Sequence, residues 1–237
     1  MRESVFRFKQ FAVRNSMAAM KVGTDGVLLG AWCPVEGALR VLDVGTGTGL
    51  IALMVAQRNV SAMIDAVDID HAACDEAGFN VANSPWHERI NVECCDFMEY
   101  CGCGVGYDLI VSNPPYFDNG LLPPDHGRRL ARHCGTLTYA GLIAHAASLL
   151  SPSGKVCIIT PADAATTVAC AAEKCGLGVN RRTMVRPKPD SDVKRILWEL
   201  SACATTLRED ELVIEGEEHH DYTPQYVALT KDFYLKM

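Results

Sequence analysis

The sequence predicts an α/β fold, in which a mostly parallel sheet ends in an antiparallel hairpin and carries helices on both faces. Between residues 39 and 175, short apolar runs alternate with helical segments, a pattern typical of parallel strands joined by crossover helices. From residue 179 onward, two extended segments follow each other across a short polar linker into which no helix fits. Without a crossover helix, these two segments are expected to pair antiparallel.

Each predicted element is placed by its hydrophobic run and by the glycines and prolines that bound it. Parallel strands are predicted at Leu39–Val44, Met63–Val67, Ile90–Cys95, Asp108–Ser112 and Lys155–Thr160. Helices are predicted at Leu50–Arg58, His71–Asn83, Leu142–Leu150 and Asp163–Cys175, and one helix near Val27 precedes the first parallel strand. The hairpin strands Val179–Val185 and Arg195–Leu200 bring the sheet to seven strands. A candidate short strand, Leu212–Glu215, and a candidate helix, Pro224–Tyr234, end the chain.

Composition excludes several classes of protein. Of the 237 residues, 49% are hydrophobic and 22% are charged, so the chain as a whole is not disordered. Its longest apolar run, Leu50–Ala56, is far shorter than the ~20 residues that cross a bilayer. The net charge of −7 argues against generic polyanion binding but leaves room for a local basic patch. With 11 cysteines and no apolar leader at the start, we expect a cytoplasmic protein with free thiols.

A glycine-rich turn follows the first predicted parallel strand. Gly45, Gly47 and Gly49 have the spacing G-x-G-x-G, which differs from the G-x-G-x-x-G fingerprint of dinucleotide-binding proteins. Glycines at a strand-to-helix turn let a ligand lie against the backbone at the carboxyl edge of a sheet. Asp43 precedes them, and its carboxylate would repel a pyrophosphate but suits a ligand that carries an amino group and a sulfonium.

Acidic residues also end the next two predicted strands. Asp68 is placed to accept hydrogen bonds from both hydroxyls of a ribose. Asp96 is placed to accept from an adenine amino group, while Phe97 would cover the adenine ring. Three acids at successive strand ends around one glycine loop predict a pocket for S-adenosylmethionine, although tight-turn glycines alone also occur without a ligand.

The fourth predicted strand is followed directly by Asn113, Pro114, Pro115 and Tyr116. The two prolines fix the backbone and remove two N–H donors, so this stretch offers carbonyl acceptors. A carbonyl and the Asn113 side-chain oxygen can accept both hydrogens of an amino group, which favours localisation of its lone pair toward a methyl donor. Tyr116 can stack on a planar base. A rigid turn at a strand end is the simpler alternative for these residues.

This Asn-Pro-Pro-Tyr run resembles the signature of N-methyltransferases that act on amino groups of adenine, guanine, cytosine or glutamine. More specifically, segments across nearly the whole chain resemble the bacterial tRNA1(Val) (adenine-37-N6)-methyltransferase family. These segments are Phe8–Trp32, Asp43–Gly49, Ile64–Asp68, Asn83–Val92, Asp108–Tyr116 and Tyr226–Leu235. Lys21–Gly26 and Ser84–Arg89 are the most specific parts of the match, and Phe117–Thr136 is not matched.

The resemblance implies a Rossmann-like class I methyltransferase fold. Residues 1–32 would form an N-terminal segment packed over the cofactor site, and residues 33–237 the methyltransferase domain. The implied reaction is methyl transfer from S-adenosylmethionine to N6 of adenine 37 in tRNA(Val), without a metal, and we expect a monomer. Asn113 to Tyr116 would hold the adenine, and Lys21, Thr24, Asp25 and Gly26 would join the residues around the cofactor.

Two alternatives stay open at this stage. Similar acceptor-rich loops serve enzymes that methylate another RNA base or a protein glutamine amide. The glutamine-modifying class normally carries an additional N-terminal helical domain, for which the residues before the core leave no room. A module that binds the cofactor and RNA without catalysis is the second alternative, and the presence of Asn113 and Tyr116 argues against it.

Basic residues are concentrated at two places that are candidates for RNA binding. Arg128, Arg129 and Arg132 follow the Asn-Pro-Pro-Tyr turn, and Arg181 and Arg182 lie on the predicted hairpin. A local basic face on an acidic protein can bind phosphates, whereas a solvated surface is the plain alternative.

No metal site is expected from the sequence. Cys94, Cys95, Cys101 and Cys103 contain no Cys-x-x-Cys pair and are better explained as small buried hydrophobes. The pair His219–His220 is assigned to a surface turn, because no carboxylate or cysteine is spaced to complete a ligand set.

Overall fold

The fold is that of a computed structural model, which describes residues 4–18, 21–102, 104–115, 137–203 and 205–237. The strands in this part of the chain are β1 (Val5–Arg7), β2 (Ala12–Arg14), β3 (Arg40–Val44), β4 (Met63–Asp68), β5 (Ile90–Cys94), β6 (Tyr107–Ser112), β7 (Leu150–Pro161), β8 (Gly178–Arg186), β9 (Arg195–Ser201) and β10 (Arg208–Val213). The α-helices are α1 (Thr24–Trp32), α2 (Leu50–Arg58), α3 (His71–Ala82), α4 (Tyr139–Leu149), α5 (Ala165–Lys174) and α6 (Pro224–Thr230). None of these helices is long and apolar enough to cross a bilayer.

Eight strands form one sheet in the order β10-β8-β9-β7-β6-β3-β4-β5. The five strands from β7 to β5 in that order are mutually parallel, whereas β9 is antiparallel to both β7 and β8. The predicted parallel sheet with an antiparallel hairpin is therefore confirmed. The number of seven strands is wrong, because β10 adds in parallel to β8 and brings Arg208 beside Arg181 and Val213 beside Arg186.

The N-terminal segment differs from the prediction in two places. β1 and β2 pair antiparallel as a separate hairpin, which the sequence analysis missed because each strand is three residues long. The helix expected near Val27 begins at Thr24, with the extended residue Gly23 as its N-cap. Thr24, Asp25 and Gly26 therefore form the first turn of α1.

Alternate residues of the central strands face two apolar layers, one on each side of the sheet. On β6, Leu109 and Val111 pack in the layer that contains α1 and α2, whereas Ile110 packs in the layer that contains α4 and α5. Phe8 and Val13 of the N-terminal segment belong to the first layer and share its core. The division of the chain at residue 32 stays a prediction.

A buried carboxylate holds the chain that precedes α1. Glu76 on α3 is fully buried and accepts backbone N–H groups from Ser16 at 2.7 Å, Met17 at 3.1 Å and Ala18 at 2.8 Å. Arg14 Nε lies 3.5 Å from the same carboxylate. One turn further along α3, the Asn80 amide donates to the carbonyls of Arg14 at 3.0 Å and Thr48 at 2.9 Å. α3 thereby joins the N-terminal segment to the loop before α2.

We expect Glu76→Gln to lower the free energy of unfolding by about 2–3 kcal/mol, because an amide NH2 then replaces one of the oxygens that accept backbone N–H groups. Chemical denaturation of the wild type and the variant measures this loss. Glu173→Gln, at an exposed position of α5, is the matched control and should change stability by less than about 0.5 kcal/mol. Equal losses in the two variants would contradict the anchoring role of Glu76.

Candidate active site

The glycine loop and the Asn-Pro-Pro turn meet at the centre of the sheet. β3 and β6 are neighbours, Val44 pairs with Ser112, and the residues that follow are Gly45 and Asn113. Ser112 Oγ donates to the carbonyl of Val44 at 2.8 Å and so joins the two strand ends. The strand that follows β3 in the chain, β4, lies on one side of this central pair, and the strand that follows β6, β7, lies on the opposite side. Open α/β sheets bind their ligands at such a reversal of strand order.

A cleft of about 330 Å³ opens at this point of the sheet. Its walls come from the start of α1, from the glycine loop, from the Asn-Pro-Pro turn and from the first residue of β9. The residues predicted from the sequence that line it are Lys21, Thr24, Asp25, Gly26, Gly45, Gly47 and Asn113. Other lining residues that the sequence analysis did not single out include Thr46, Thr48, Leu50, Ile51 and Arg195.

Arg195 is the charged residue among those that the sequence analysis missed. No motif marks it. It reaches the cleft because β9 runs antiparallel to β7, so that Arg195 pairs with Pro161 at the carboxyl end of β7. Its Nε donates to Asp25 Oδ2 at 2.9 Å, which joins β9 to the first turn of α1. The predicted hairpin could have indicated the position of Arg195. The second strand of an antiparallel hairpin after the last parallel strands begins at the carboxyl edge of the sheet.

The glycine loop has a backbone conformation that favours glycine. Gly45, Gly47 and Gly49 have φ angles of 69°, 56° and 79°, which L side chains rarely adopt. The N–H groups of Gly45 and Thr46 donate to the carbonyl of Val67 at 2.9 and 3.0 Å. These contacts fix the loop to the end of β4, and α2 starts immediately after Gly49.

Asp43 lies fully buried beneath this loop rather than in the cleft wall. Its Oδ2 accepts hydrogen bonds from Thr46 Oγ1 at 2.7 Å and Ala52 N at 3.1 Å. Its Oδ1 has no hydrogen-bond partner within the described residues. Burial raises the pKa of Asp43 to about 7, although the hydrogen bonds from Thr46 and Ala52 act in the opposite direction. Because burial disfavours the charged form of Asp43, a cationic group bound above the loop would stabilise the carboxylate.

Asn113 presents the second unpaired acceptor of the site. Its Oδ1 is buried and has no partner among the residues that the structure describes. Pro114 is buried and Pro115 is exposed. Because proline has no backbone N–H, neither residue can donate a hydrogen bond to the Asn113 oxygen. The acceptor at Asn113 fits an amino group, and the carboxylate of Asp43 fits the charge of a sulfonium and an ammonium. The residues present therefore suit S-adenosylmethionine and a substrate whose amino group receives the methyl group.

Comparison with known proteins identifies the family. The sequence profile of the methyltransferase small domain matches residues 18–169. A tRNA1(Val) (adenine(37)-N6)-methyltransferase of Bacteroides fragilis is 45% identical over 239 residues, which cover 100% of both chains. Its counterpart in Trichodesmium erythraeum is 47% identical over 234 residues, or 98% of each chain. The chain belongs to this methyltransferase family.

The fold agrees with that membership. A solved structure described as a predicted O-methyltransferase from Agrobacterium tumefaciens superposes with a TM-score of 0.69 and covers 88% of this chain and 96% of its own. At 19% identity this likeness concerns the fold alone. The predicted Rossmann-like class I methyltransferase fold is confirmed, and such enzymes use S-adenosylmethionine.

The residues predicted to bind adenosine lie outside the cleft lining of this methyltransferase. Asp68 accepts backbone N–H groups on both oxygens, from Asp70 at 3.0 Å and from Gly47 at 2.9 Å, and burial raises its pKa. Asp96 accepts from the N–H of Met98 at 2.9 Å. The buried ring of Phe97 lies edge-on to His145, with centroids 4.8 Å apart. Their roles toward ribose and adenine stay predictions.

The arginines predicted to bind RNA fall into two groups. Arg128, Arg129 and Arg132 lie outside the described residues, as does Tyr116. Arg181 lies about 13 Å and Arg182 about 10 Å along β8 from Val185, the partner of Arg195 at the cleft edge, at a rise of about 3.3 Å per residue. Both are paired within the protein: Arg181 stacks over Trp32 with Cζ 3.7 Å from the ring centroid and lies 3.2 Å from Glu199, and Arg182 donates to Glu209. Their RNA-binding role stays a prediction.

The cysteines after β5 correct one expectation. Cys94 and Cys101 are exposed and Cys95 is partly exposed, so their interpretation as buried hydrophobes is wrong. The reason is that β5 forms an edge of the sheet, which leaves the end of this strand open to solvent. The Cys94 thiol lies 3.3 Å from Nδ1 of His71. Cys103 lies outside the described residues.

The raised pKa of Asp43 predicts a pH dependence of stability. The folded protein keeps the proton up to about pH 7, whereas the unfolded chain releases it near the ordinary aspartate pKa of 3.8. Between these values the folded state binds more protons, so the contribution of Asp43 to the free energy of unfolding falls as pH rises. Asp43→Asn should flatten the slope between pH 5 and 7, measured by chemical denaturation. Parallel curves for the variant and the wild type would contradict the shifted pKa.

Proposed function

We propose that this chain transfers a methyl group from S-adenosylmethionine to N6 of adenine 37 in tRNA1(Val), the activity named for its relatives. The observation that carries the proposal is the buried Oδ1 of Asn113, which has no partner among the described residues and lies beside the glycine loop. A buried acceptor without a donor is costly, and the amino group of an adenine supplies the missing donor.

The cleft supports the binding of the methionine part of the cofactor. Lys21 and Arg195 bring positive charge to its rim, where a carboxylate is expected. Asp43 lies below the loop with its Oδ1 unpaired among the described residues, and an ammonium or a sulfonium bound above it would favour the ionised carboxylate. Asp68, at the end of β4, is the residue we assign to the ribose hydroxyls. When bound, S-adenosylmethionine supplies a methyl group that its positively charged sulfur has already activated.

The contribution of the protein is then to orient the amino group. Asn113 Oδ1 accepts one hydrogen, and a proline carbonyl of the same turn accepts the other. Both hydrogens are held away from the base plane, so the lone pair points toward the methyl group. Alignment of this kind supplies most of the acceleration that an in-line displacement needs. No base or Lewis acid is required before attack, and the proton that the amino group loses passes to solvent or to the loop.

Asn113→Ala tests this role directly. We expect roughly 3–4 kcal/mol less transition-state stabilisation, which lowers single-turnover methyl transfer by about two to three orders of magnitude. The measurement uses a tRNA1(Val) transcript at saturating cofactor, and a transcript with guanine at position 37 gives the background. Asn180→Ala is the matched control, because Asn180 is also buried with an unpaired Oδ1 in the described structure but does not line the cleft. A near-normal rate in Asn113→Ala would refute the proposed mechanism.

The substrate class needs a separate measurement, because a protein glutamine amide presents the same kind of amino group. Tritium transfer from labelled S-adenosylmethionine into total tRNA and into total protein of one extract separates the two. Label in tRNA alone is the expected result, and label in protein alone would overturn the proposed substrate. A tRNA substrate also fits a cytoplasmic enzyme, and we expect it to act as a monomer.

Arg195 is expected to affect cofactor binding through its place in the cleft and its bond to Asp25. Arg195→Ala removes the guanidinium that we assign to the carboxylate of the cofactor. A charge-assisted hydrogen bond of that kind is worth about 1.5–3 kcal/mol, so the affinity for S-adenosylhomocysteine should fall about 10- to 100-fold. Isothermal titration calorimetry measures it without any turnover. Arg182→Ala is the control, since Arg182 lies on the same hairpin but pairs with Glu209 away from the cleft. Unchanged affinity in Arg195→Ala would remove Arg195 from the site.

A further inference from the structure

The turn between β10 and α6 brings two imidazoles and a carboxylate together. Glu215, His219 and His220 each offer one ligand atom, and these atoms all lie within 4.8 Å of one another. The rings of His219 and His220 stack with their centroids 3.9 Å apart. The sequence analysis assigned no metal to this pair because it found no suitably spaced carboxylate. That reason is wrong, since the turn folds Glu215 back onto the ring of His219.

Glu215 and His219 form a hydrogen-bonded contact whose length also equals the distance between two ligands of one metal ion. His219 Nδ1 lies 3.2 Å from Glu215 Oε1 and 3.3 Å from Oε2. Two ligands on a tetrahedral ion with bonds of about 2.0–2.1 Å are about 3.3 Å apart. His220 is exposed, so its ring can rotate toward the same point without disturbing a core.

Backbone contacts fix this turn in place. Glu215 and Tyr222 form an antiparallel bridge, and the N–H of Gly216 donates to the carbonyl of Asp221 at 2.6 Å. The N–H of Glu215 donates to the carbonyl of Pro187 at 2.9 Å, which joins the turn to the linker between β8 and β9. Because the backbone of the turn is already ordered, only the exposed side chains lose conformational freedom on binding.

His220 has an unusual backbone conformation for a residue with a side chain. Its φ angle is 69°, and no other non-glycine residue of the described ranges has a positive φ. Glycine would adopt this conformation with less strain, so the histidine at this position has a cost in stability. The Tyr222 hydroxyl lies 3.2 Å from His220 Nδ1 and orients the ring, as outer partners of metal-binding histidines commonly do.

We propose that Glu215, His219 and His220 bind one divalent transition-metal ion of the zinc type, with water in the remaining position. Imidazole and carboxylate ligands together favour Zn²⁺, Co²⁺ or Ni²⁺ over Mg²⁺. Three further acids on this turn, Glu217, Glu218 and Asp221, attract cations toward it. The ion would crosslink the two arms of the turn between β10 and α6 and stabilise this turn. The site does not depend on the proposed methyl transfer.

A titration of the metal-free, full-length protein with Co²⁺ tests the proposal. We expect one equivalent to bind with d–d absorption bands of a nitrogen and oxygen site, without the charge-transfer band that thiolates give. Bound ion should also raise the melting temperature. His219→Ala and Glu215→Gln should each weaken binding about tenfold or more. His71→Ala is the matched control, because His71 lies beside the exposed thiol of Cys94, the competing pair, and should bind Co²⁺ as the wild type does.

Three results would overturn the proposal. The first is that the wild type does not bind Co²⁺ at millimolar concentration. The others are that His219→Ala binds Co²⁺ as the wild type does, or that His71→Ala no longer binds it. His220→Gly separates the ligand role from the strain. We expect the metal-free variant to melt at a higher temperature than the wild type, because glycine relieves the positive φ, and the increase caused by Co²⁺ to disappear. An increase that persists in His220→Gly would exclude His220 as a ligand.

Discussion

Two strand-end carboxylates, Asp43 and Asp68, hold the glycine loop, and the walls of the cleft depend on that contact. Asp43 joins the loop to the first turn of α2 through Thr46 and Ala52, while Asp68 binds the N–H of Gly47 from the side of β4. α1 packs closely against α2, since a Cβ on Gly30 would lie 2.8 Å from the sulfur of Met54. A displaced loop would therefore move α2 and, with it, the wall that α1 contributes.

Two buried oxygens beside the glycine loop, without hydrogen-bond partners among the described residues, lower the stability of the free protein. Asp43 Oδ1 and Asn113 Oδ1 are both buried without partners in the described structure, and each such acceptor costs about 1–3 kcal/mol. They flank the glycine loop from below and from the neighbouring strand. A ligand with an ammonium or sulfonium near one and a substrate with an amino group near the other would recover that energy on binding. The unsatisfied acceptors lower the stability of the free protein, and their pairing on binding raises the affinity for the reactants and orients them.

Helices and strands with strong apolar patterns were predictable from the sequence, whereas the charged strand at the edge of the sheet and the short N-terminal hairpin were not. α2 begins and ends at the predicted residues, because seven consecutive apolar residues follow Gly49 and are buried. β10 begins at Arg208 instead of Leu212, since its first residues are charged. It pairs with β8 through the backbone, and the ion pairs of Arg182 with Glu209 and of Arg186 with Glu211 accompany this pairing. A search for apolar alternation does not detect a strand of this kind. The short N-terminal hairpin was missed for lack of length.

Strand direction explains which basic residues the candidate site can use. β9 starts at the carboxyl edge of the parallel strands, so Arg195 reaches the cleft, while Arg181 and Arg182 lie toward the opposite edge of the same hairpin. A count of basic residues along the sequence does not distinguish these arginines. Their positions relative to the cleft depend on the direction of the strands, which such a count does not include. The same holds for Glu215, whose closeness to His219 follows from a turn fixed by backbone bonds to the β8–β9 linker. Residue types and motifs locate the chemistry of the site, whereas the antiparallel step after β7 decides which charges surround it.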